Sequence, residues 1–201
     1  ISIDTSKPAV MRAAVQAGAG MINDVFALRR DGALEATAAL GVPVVLMHMQ
    51  GEPGTMQEAP DYDDVVAEVH RFLAERIFAA EMAGIARKNI VIDPGFGFGK
   101  TREHNLSLLA QLSRFSDLGV PVMAGLSRKK TIGDITGREA PHERLHGSVA
   151  AALIAVQRGA MLLRVHDVAA TVDALKVWNA VAAVPMPRAA GSTQIRWPDD
   201  D

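Results

Sequence analysis

Asp93 begins the segment of this chain that is best suited to hold a ligand. It directly follows the apolar run Ile90-Val91-Ile92, and the residues after it read Pro-Gly-Phe-Gly-Phe-Gly-Lys, ending at Lys100. Glycines allow a backbone to approach a flat ligand closely, although a flexible turn with two packed phenylalanines is the simpler alternative. Two phenylalanines in one turn, in a chain with 4% aromatic residues, favour the ligand. The glycine spacing to Lys100 does not match a phosphate-binding P-loop.

Asp4 and Asn23 also follow short apolar runs. Carboxylates accept two hydrogen bonds and an amide adds a matching donor, so together with Asp93 they suit a ring with adjacent N–H and NH2 donors beside a carbonyl. Each residue could instead cap a helix or close an Asx turn. Taken together, the three predict a site for a guanine-like or pterin-like ring.

Two cationic groups lie further along the chain, in Ser127-Arg128-Lys129-Lys130 and Arg164-Val165-His166-Asp167. Arg164 and His166 are two positions apart, which predicts side chains on the same side of a strand. A pair of cations can bind a diphosphate and stabilise it as it leaves. The simpler alternative for the first group is a solvated basic turn.

The elements that must position these groups repeat one unit. An apolar run ends in polar residues, a segment of helical period follows, and a glycine leads into the next run. The runs cover residues 1–3, 21–22, 43–47, 90–92, 121–124 and 161–165. Because most of them are apolar throughout, they predict parallel strands covered on both faces.

Helices are predicted between these strands, with Ser6 as the cap of the first and Asp167 as the cap of the last. The longest stretches of helical period cover residues 63–83, 102–115, 141–158 and 168–184. Strands that alternate with helices predict a parallel α/β sheet, either open and doubly wound or closed into a barrel, with ligands at the carboxyl ends of the strands. An eight-unit barrel usually takes ~250 residues, whereas six units are found here.

Composition restricts the class of protein. The chain has 201 residues, with 21 Lys and Arg against 23 Asp and Glu, and it has no cysteine. This balance argues against nucleic acid as a partner, and no apolar run approaches the ~18 residues of a membrane span, so we expect a cytoplasmic protein. Without cysteine there are no disulfides or thiolate ligands. Residues 48–60 are predicted to form a lid, 1–184 one barrel domain and 185–201 a disordered tail.

The motifs taken in order resemble those of bacterial dihydropteroate synthase, from residue 1 to about residue 184. The matching segments are Ile3-Asp4-Thr5-Ser6-Lys7-Pro8, Ile22-Asn23-Asp24, Leu46-Met47-His48-Met49-Gln50-Gly51, Asp93 to Lys100, Gly125-Leu126-Ser127-Arg128-Lys129 and Arg164-Val165-His166-Asp167. The resemblance implies a (β/α)8 TIM barrel, of which about six of the eight units are present. It also implies a transferase that joins hydroxymethyl-dihydropterin diphosphate to p-aminobenzoate in folate synthesis and releases diphosphate.

The resemblance also implies roles for individual residues. Asp4, Asn23, Asp93 and Lys129 would contact the pterin, with Met47 lining the same pocket. Arg164 would flank the ring, Val165 and His166 would meet the diphosphate, and Phe98 with Lys129 would shape the p-aminobenzoate site. Lys129, Arg164 and His166 would be the catalytic residues. Sulfonamide binding and a homodimer formed through the late helices are implied as well.

Two features of the family are missing from this sequence. The first two strands of the family carry an Asn-containing loop that helps to hold Mg2+ on the diphosphate and a Thr-Arg-Pro loop that closes over the reaction. No residue here is therefore assigned to Mg2+, and the chain is interpreted as lacking the first two strand–helix units. A methyltetrahydrofolate-dependent methyltransferase and an inactive pterin-binding or interaction chain are the alternative functions.

Overall fold

In the computed structural model, which describes residues 1–51, 56 and 60–185, short strands alternate with helices. The strands are β1 (Ser2–Asp4), β2 (Met21–Asp24), β3 (Val44–Met47), β4 (Ile90–Asp93), β5 (Met123–Ala124) and β6 (Leu162–Leu163). The helices are α1 (Pro8–Gln16), α2 (Ala33–Leu40), α3 (Val65–Met82), α4 (Arg102–Ala110), α5 (Lys130–Thr136), α6 (Leu145–Gln157) and α7 (Val168–Ala182). Among the described residues, none of these helices is long and apolar enough to cross a membrane. Most of the predicted lid and nearly all of the predicted tail lie outside the described residues.

The strands pair in parallel and in chain order. Strands β1 to β4 form one sheet and β5 with β6 a second, and a parallel bridge between Ile92 and Val122 joins the two. The six strands therefore follow one another around a single arc, with each helix run leading to the neighbouring strand. This order is that of a (β/α) barrel, since a doubly wound sheet reverses its strand order at a switch point.

Both faces of the arc are apolar, which explains why the strand sequences do not alternate. Outward side chains, among them Val44, Leu46 and Ile92, pack against the helices in the main core. Inward side chains form a smaller cluster of Val45, Val91 and Met123, with Met21 and Leu162 packed on it. Successive residues of a strand point to opposite faces, so the next inward positions of β2, β3 and β4 fall at their carboxyl ends.

Local capping differs from the predictions at two helices. Ser6 does not cap α1, because Lys7 occupies the N-cap position and Ser6 Oγ donates to the buried carboxylate of Asp24. Asp167 is at the N-cap of α7 but makes no side-chain cap, since its carboxylate pairs with Arg128. In both cases a partner distant in sequence takes the side chain from its local role.

Several boundaries also differ. The helix predicted over 102–115 ends as α4 at Ala110 and continues as the 3-10 turn Leu112–Leu118. The helix predicted over 141–158 begins with the 3-10 turn Pro141–Arg144 before α6. Helix α5 has no prediction, because seven residues that include Gly133 are too short to show a helical period. The last two strands have two residues each, shorter than predicted.

Candidate active site

The candidate site lies at the carboxyl ends of the strands, on the inner face of the arc. Asp4 is in register with Asn23, and Met47 is in register with Asp93. Asn23, Met47 and Asp93 each lie two positions beyond an inward-facing apolar residue, so the strand period directs them into the arc. The predicted convergence of the strand-end groups is therefore found in the structure.

Asp4, at the end of β1, bonds Asn23 of β2 and Arg164 of the loop after β6 through its two carboxylate oxygens. Asn23 Nδ2 donates to Asp4 Oδ1 at 2.6 Å, and Arg164 Nη2 donates to Asp4 Oδ2 at 2.5 Å. This orients the amide so that Asn23 Oδ1, although buried, has no hydrogen-bond partner among the described residues. A buried acceptor without a partner is costly, so a ligand donor at this position would remove an energetic penalty.

Asp93 carries the buried carboxyl group of the site, with 6% of its surface exposed. Burial raises the pKa of Asp93, while the charges of Lys129, Lys100 and Arg164 and the Gly95 N–H favour its ionised form. The Gly95 N–H donates to Asp93 Oδ1 at 2.7 Å. Three basic side chains near one carboxyl group favour an anionic substrate in this pocket.

Lys129 lies between the Asp93 carboxyl group and a neighbouring cavity. Its Nζ donates to the Phe96 carbonyl and lies 4.8 Å from the centroid of the Phe98 ring. Burial lowers the pKa of Lys129 to about 8, although the Asp93 carboxylate opposes this shift and Arg164 adds to it. A cavity of about 470 Å³ lies beside Phe98 and Lys129, between the glycine-rich loop and α5. The cavity can hold a flat aromatic ring of modest size.

The glycine-rich loop after β4 needs its glycines for packing, which differs from the sequence prediction. Gly95 and Gly99 have positive φ angles of 73° and 60°, and a Cβ on either would collide with the backbone carbonyl of His48 or Gln50. A Cβ on Gly97 would instead meet the Lys129 side chain at 3.2 Å. Gly95 and Gly99 therefore allow close approach to the segment after β3 rather than to a ligand, and Phe96 is a core residue.

Lys100 fixes the conformation of this loop, a role that sequence reasoning missed. Its Nζ lies 2.9 Å from His48 Nδ1 and donates to the carbonyls of Gly95 and Phe98 at 3.0 and 2.9 Å. Burial lowers the pKa of Lys100 to about 7, and burial together with the Lys100 charge lowers the pKa of His48 to about 2. Neutral His48 can then accept a hydrogen bond from Lys100. A lysine that ends a glycine-rich turn was the only available signal for this contact.

The last two loops place His166 beside Ser127. The His166 N–H donates to Ser127 Oγ at 3.2 Å, and His166 Nδ1 lies 3.0 Å from the same oxygen. The prediction that Arg164 and His166 share one strand is wrong, because β6 ends at Leu163. Both residues, with Val165 between them, therefore belong to the loop after β6. Ser127 is a second site residue whose role was missed.

The donors needed for a resident metal ion are not gathered in the described part of the chain. There, no group of three or more Asp, Glu, His or Cys side chains could hold a metal ion. Asp4 and Asp93 face cations, and Asp24 is occupied by Ser6 and by the backbone N–H groups of Phe26 and Leu28. The described residues therefore do not fit a resident Mg2+.

The fold and the site define a pterin-binding barrel. The family model for "Pterin binding enzyme" matches residues 1–166. A dihydropteroate synthase of Escherichia coli strain K12 is 54% identical over 180 residues, which cover 90% of this chain and 64% of that protein. The chain thus spans about 64% of the length of that curated relative.

Solved structures give the same result. Dihydropteroate synthase from Stenotrophomonas maltophilia, with imidazole bound in its active site, is 71% identical with a TM-score of 0.91, over 92% of this chain and 70% of that one. The Xanthomonas albilineans enzyme in complex with 7,8-dihydropteroate is 70% identical with a TM-score of 0.87, over 92% and 67% of the two chains. This chain belongs to the dihydropteroate synthase family, and the predicted TIM-barrel fold is confirmed.

Proposed function

We propose that this chain carries the substrate site of a dihydropteroate synthase. The reaction joins hydroxymethyl-dihydropterin diphosphate to p-aminobenzoate and releases diphosphate. The observation that carries the proposal is the meeting of Asp4, Asn23, Asp93 and Arg164 at one edge of the arc. The bound 7,8-dihydropteroate of the Xanthomonas albilineans relative supports the same reaction.

The pterin ring is proposed to lie between Asn23 and Asp93. Asn23 Oδ1 needs a donor, and the Asp93 carboxylate can accept from the adjacent N–H and NH2 groups of the pterin. The charge of Lys129 favours the ionised form of Asp93, and its Nζ can donate to an acceptor on the ring. Met47, 3% exposed, forms an apolar wall next to Gly95.

The residues of this chain hold the reactants and neutralise charge rather than form a covalent intermediate. The bond from the methylene carbon to diphosphate oxygen breaks, and positive charge develops on that carbon. The amine nitrogen of p-aminobenzoate forms a bond to the carbon, and the amine proton passes to solvent. Arg164, of which only Nη2 contacts Asp4 in the described structure, and His166 are proposed to stabilise the negative charge of the departing diphosphate. The cavity beside Phe98 and Lys129 is proposed to hold p-aminobenzoate in line with that carbon.

Several finer features belong to the same proposal. A Yersinia pestis dihydropteroate synthase structure contains a sulfonamide drug, and we propose that sulfonamides compete for the cavity beside Phe98. Mg2+ is proposed to enter with the diphosphate as part of the substrate. A cytoplasmic location stays a prediction from composition, and a homodimer stays one from the family resemblance. Exposed valines on α7 support the homodimer.

The proposal is tested by Arg164→Ala in the full-length gene product that contains this sequence. Diphosphate release and dihydropteroate formation are measured with both substrates and Mg2+. We expect the rate to fall at least ~10-fold, because the leaving group loses a cation. Arg114→Ala is the control, since Arg114 is exposed and pairs only locally with Gln111.

Three other results would count against this function. An unchanged rate in the Arg164 variant would remove that residue from the mechanism. Methyl transfer from methyltetrahydrofolate without diphosphate release would support the methyltransferase alternative. Pterin binding by the wild-type protein without any turnover would support an inactive binding chain.

A further inference from the structure

Arg128 lies between two residues of the candidate site, Ser127 and Lys129, and its backbone is in an unfavourable conformation. Its φ angle is 58°, in the left-handed region that residues with a side chain seldom adopt. Such a conformation persists only where the surroundings hold it, and it often marks a functional constraint. The contacts around Arg128 show what holds it.

Helix α6 and the turn before it hold the backbone of Arg128 from both sides. The Arg128 N–H donates to Ser148 Oγ at 2.9 Å, and its carbonyl accepts from Arg144 Nη1 at 2.8 Å. Ser148 Oγ in turn donates to the Arg144 carbonyl at 2.6 Å. Arg144 reaches this position by crossing Gly133 of α5, where a Cβ would lie 2.6 Å from Arg144 Nε.

The Arg128 side chain connects the loop after β5 to the loop after β6. Its Nε lies 3.0 Å from Asp167 Oδ2 and its Nη2 lies 2.5 Å from Asp167 Oδ1, so the guanidinium fork binds both carboxylate oxygens. This two-point geometry fixes orientation as well as distance. Ser127 and His166 connect the same two loops one residue away.

We propose that Arg128 is a positioning residue that holds the loop after β5, with Lys129, at a fixed distance from the loop after β6, with Arg164 and His166. The inference rests on the proposed function of those three residues. Arg128 itself does not need to touch substrate, because the fork that would bind an anion is engaged by Asp167. The paired contact explains why an unfavourable backbone is retained between two site residues.

The test compares Arg128→Gly, Arg128→Lys and Asp167→Asn in the full-length protein. Glycine adopts the positive φ angle without strain. Arg128→Gly therefore removes the guanidinium fork, while the loop backbone can keep its conformation. We expect kcat for dihydropteroate formation to fall at least ~10-fold, with the KM for the pterin substrate within about 3-fold, since the Asp4, Asn23 and Asp93 contacts remain. Arg128→Lys, which keeps the charge without the fork, should not restore kcat.

A double variant and a spectroscopic measurement identify the cause. Arg128→Gly and Asp167→Asn each break the same contact between the two side chains. The double variant should therefore be no slower than Arg128→Gly alone. The 15N chemical shifts of the His166 imidazole ring should change in Arg128→Gly, because the loop after β6 loses its contact with Arg128. Arg87→Ala is the matched control, since Arg87 also bonds a carboxylate and a carbonyl, those of Glu81 and Leu118, but before β4.

The possible outcomes separate this proposal from the proposed function. Wild-type kcat in folded Arg128→Gly, full rescue by Arg128→Lys, or multiplying effects of the two single changes would each overturn the positioning role. If the wild-type protein makes no dihydropteroate, the proposed function fails, and the His166 shifts then decide the role of Arg128. Shifts unchanged by Arg128→Gly would overturn that role, and shifts that move would support it.

Discussion

Asp93 is the single residue on which most of the site's charge balance depends. It is buried, and the positive charges of Lys129, Lys100 and Arg164 all act on it. Asp93→Asn keeps the shape of the side chain but removes the carboxylate charge that raises the pKa of Lys129. We expect affinity for 6-hydroxymethyl-7,8-dihydropterin to fall at least ~10-fold, because a charged acceptor of two hydrogen bonds is lost. Isothermal titration calorimetry measures this.

The same variant has a spectroscopic consequence. The pKa of Lys129 should fall below its value of about 8, as followed by NMR of its ammonium group. Asp117→Asn is the matched control, since that carboxylate is exposed and pairs with His70 on the outer surface. Unchanged pterin affinity in Asp93→Asn would contradict the proposed position of the ring.

The buried Lys100 is expected to make the free energy of unfolding depend on pH. Burial lowers its pKa from 10.5 to about 7 in the folded protein. Between these values the unfolded chain binds more protons, so the free energy of unfolding should rise as the pH increases from about 7 toward 10.5. Lys100→Met should flatten this rise, measured by urea unfolding at pH 7 and pH 9.5.

Two other lysines are needed to interpret the pH dependence of the Lys100→Met variant. Lys129 contributes in the same direction, so part of the rise should remain in the variant. The exposed Lys88 gives the control, because Lys88→Met should leave the pH dependence unchanged. An equally steep rise in Lys100→Met and the wild-type protein would show that Lys100 is not the buried cation responsible.

At the scale of the element, the glycine-rich loop tests how closely two strand-end segments must approach. Gly95 and Gly41 have similar φ angles of 73° and 65°, but a Cβ on Gly95 would collide with the His48 carbonyl, whereas nothing lies within 4 Å at Gly41. Gly41→Ala should cost about 1–2 kcal/mol from the left-handed backbone alone. Gly95→Ala should cost a further ~1–3 kcal/mol from the collision, measured by urea unfolding. Equal losses in the two variants would show that the loop can move away.

The same scale shows why some elements are predictable from sequence. Strands β3 and β4 are apolar on both faces and stand out as runs, and α3 shows a long stripe that begins at the Asp64 cap. Helix α5 could not be predicted, because its seven residues are stabilised by contacts from outside the helix, such as that of Arg144 with Gly133. Capping also fails as a prediction where a distant partner competes, as Asp24 does for Ser6.

At the scale of the whole molecule, the barrel topology explains why the strand-end groups could be placed together from the sequence. Any parallel α/β arrangement brings strand ends to one edge, so Asp4, Asn23 and Asp93 could be grouped without knowledge of their contacts. The pairing of Asp4 with Arg164, 160 positions away, depends on how far the arc curls and has no local signal. The Lys100–His48 and Arg128–Asp167 contacts, between residues 52 and 39 positions apart, likewise have no local signal in the sequence.

The outer surface of α7 leads to the final prediction. Val177 and Val181 lie one helical turn apart, with 67% and 69% of their surfaces exposed. Exposed apolar stripes of this kind favour association, so we expect the full-length protein to form a dimer through this helix. Changing both valines to lysine should give a monomer in sedimentation velocity at micromolar concentration, because burial of the charges would be costly.

Phe78→Lys on α3 distinguishes a specific interface on α7 from non-specific hydrophobic association. Phe78 is 65% exposed, much like the two valines, but it lies on a different helix of the ring. The Phe78 variant should keep the dimer if α7 forms the interface. Loss of the dimer in Phe78→Lys, or a dimer that survives in the double valine variant, would move the interface away from α7. Because the candidate site faces the inside of the arc and α7 packs outside it against α6, the monomeric variant should still bind 6-hydroxymethyl-7,8-dihydropterin with unchanged affinity.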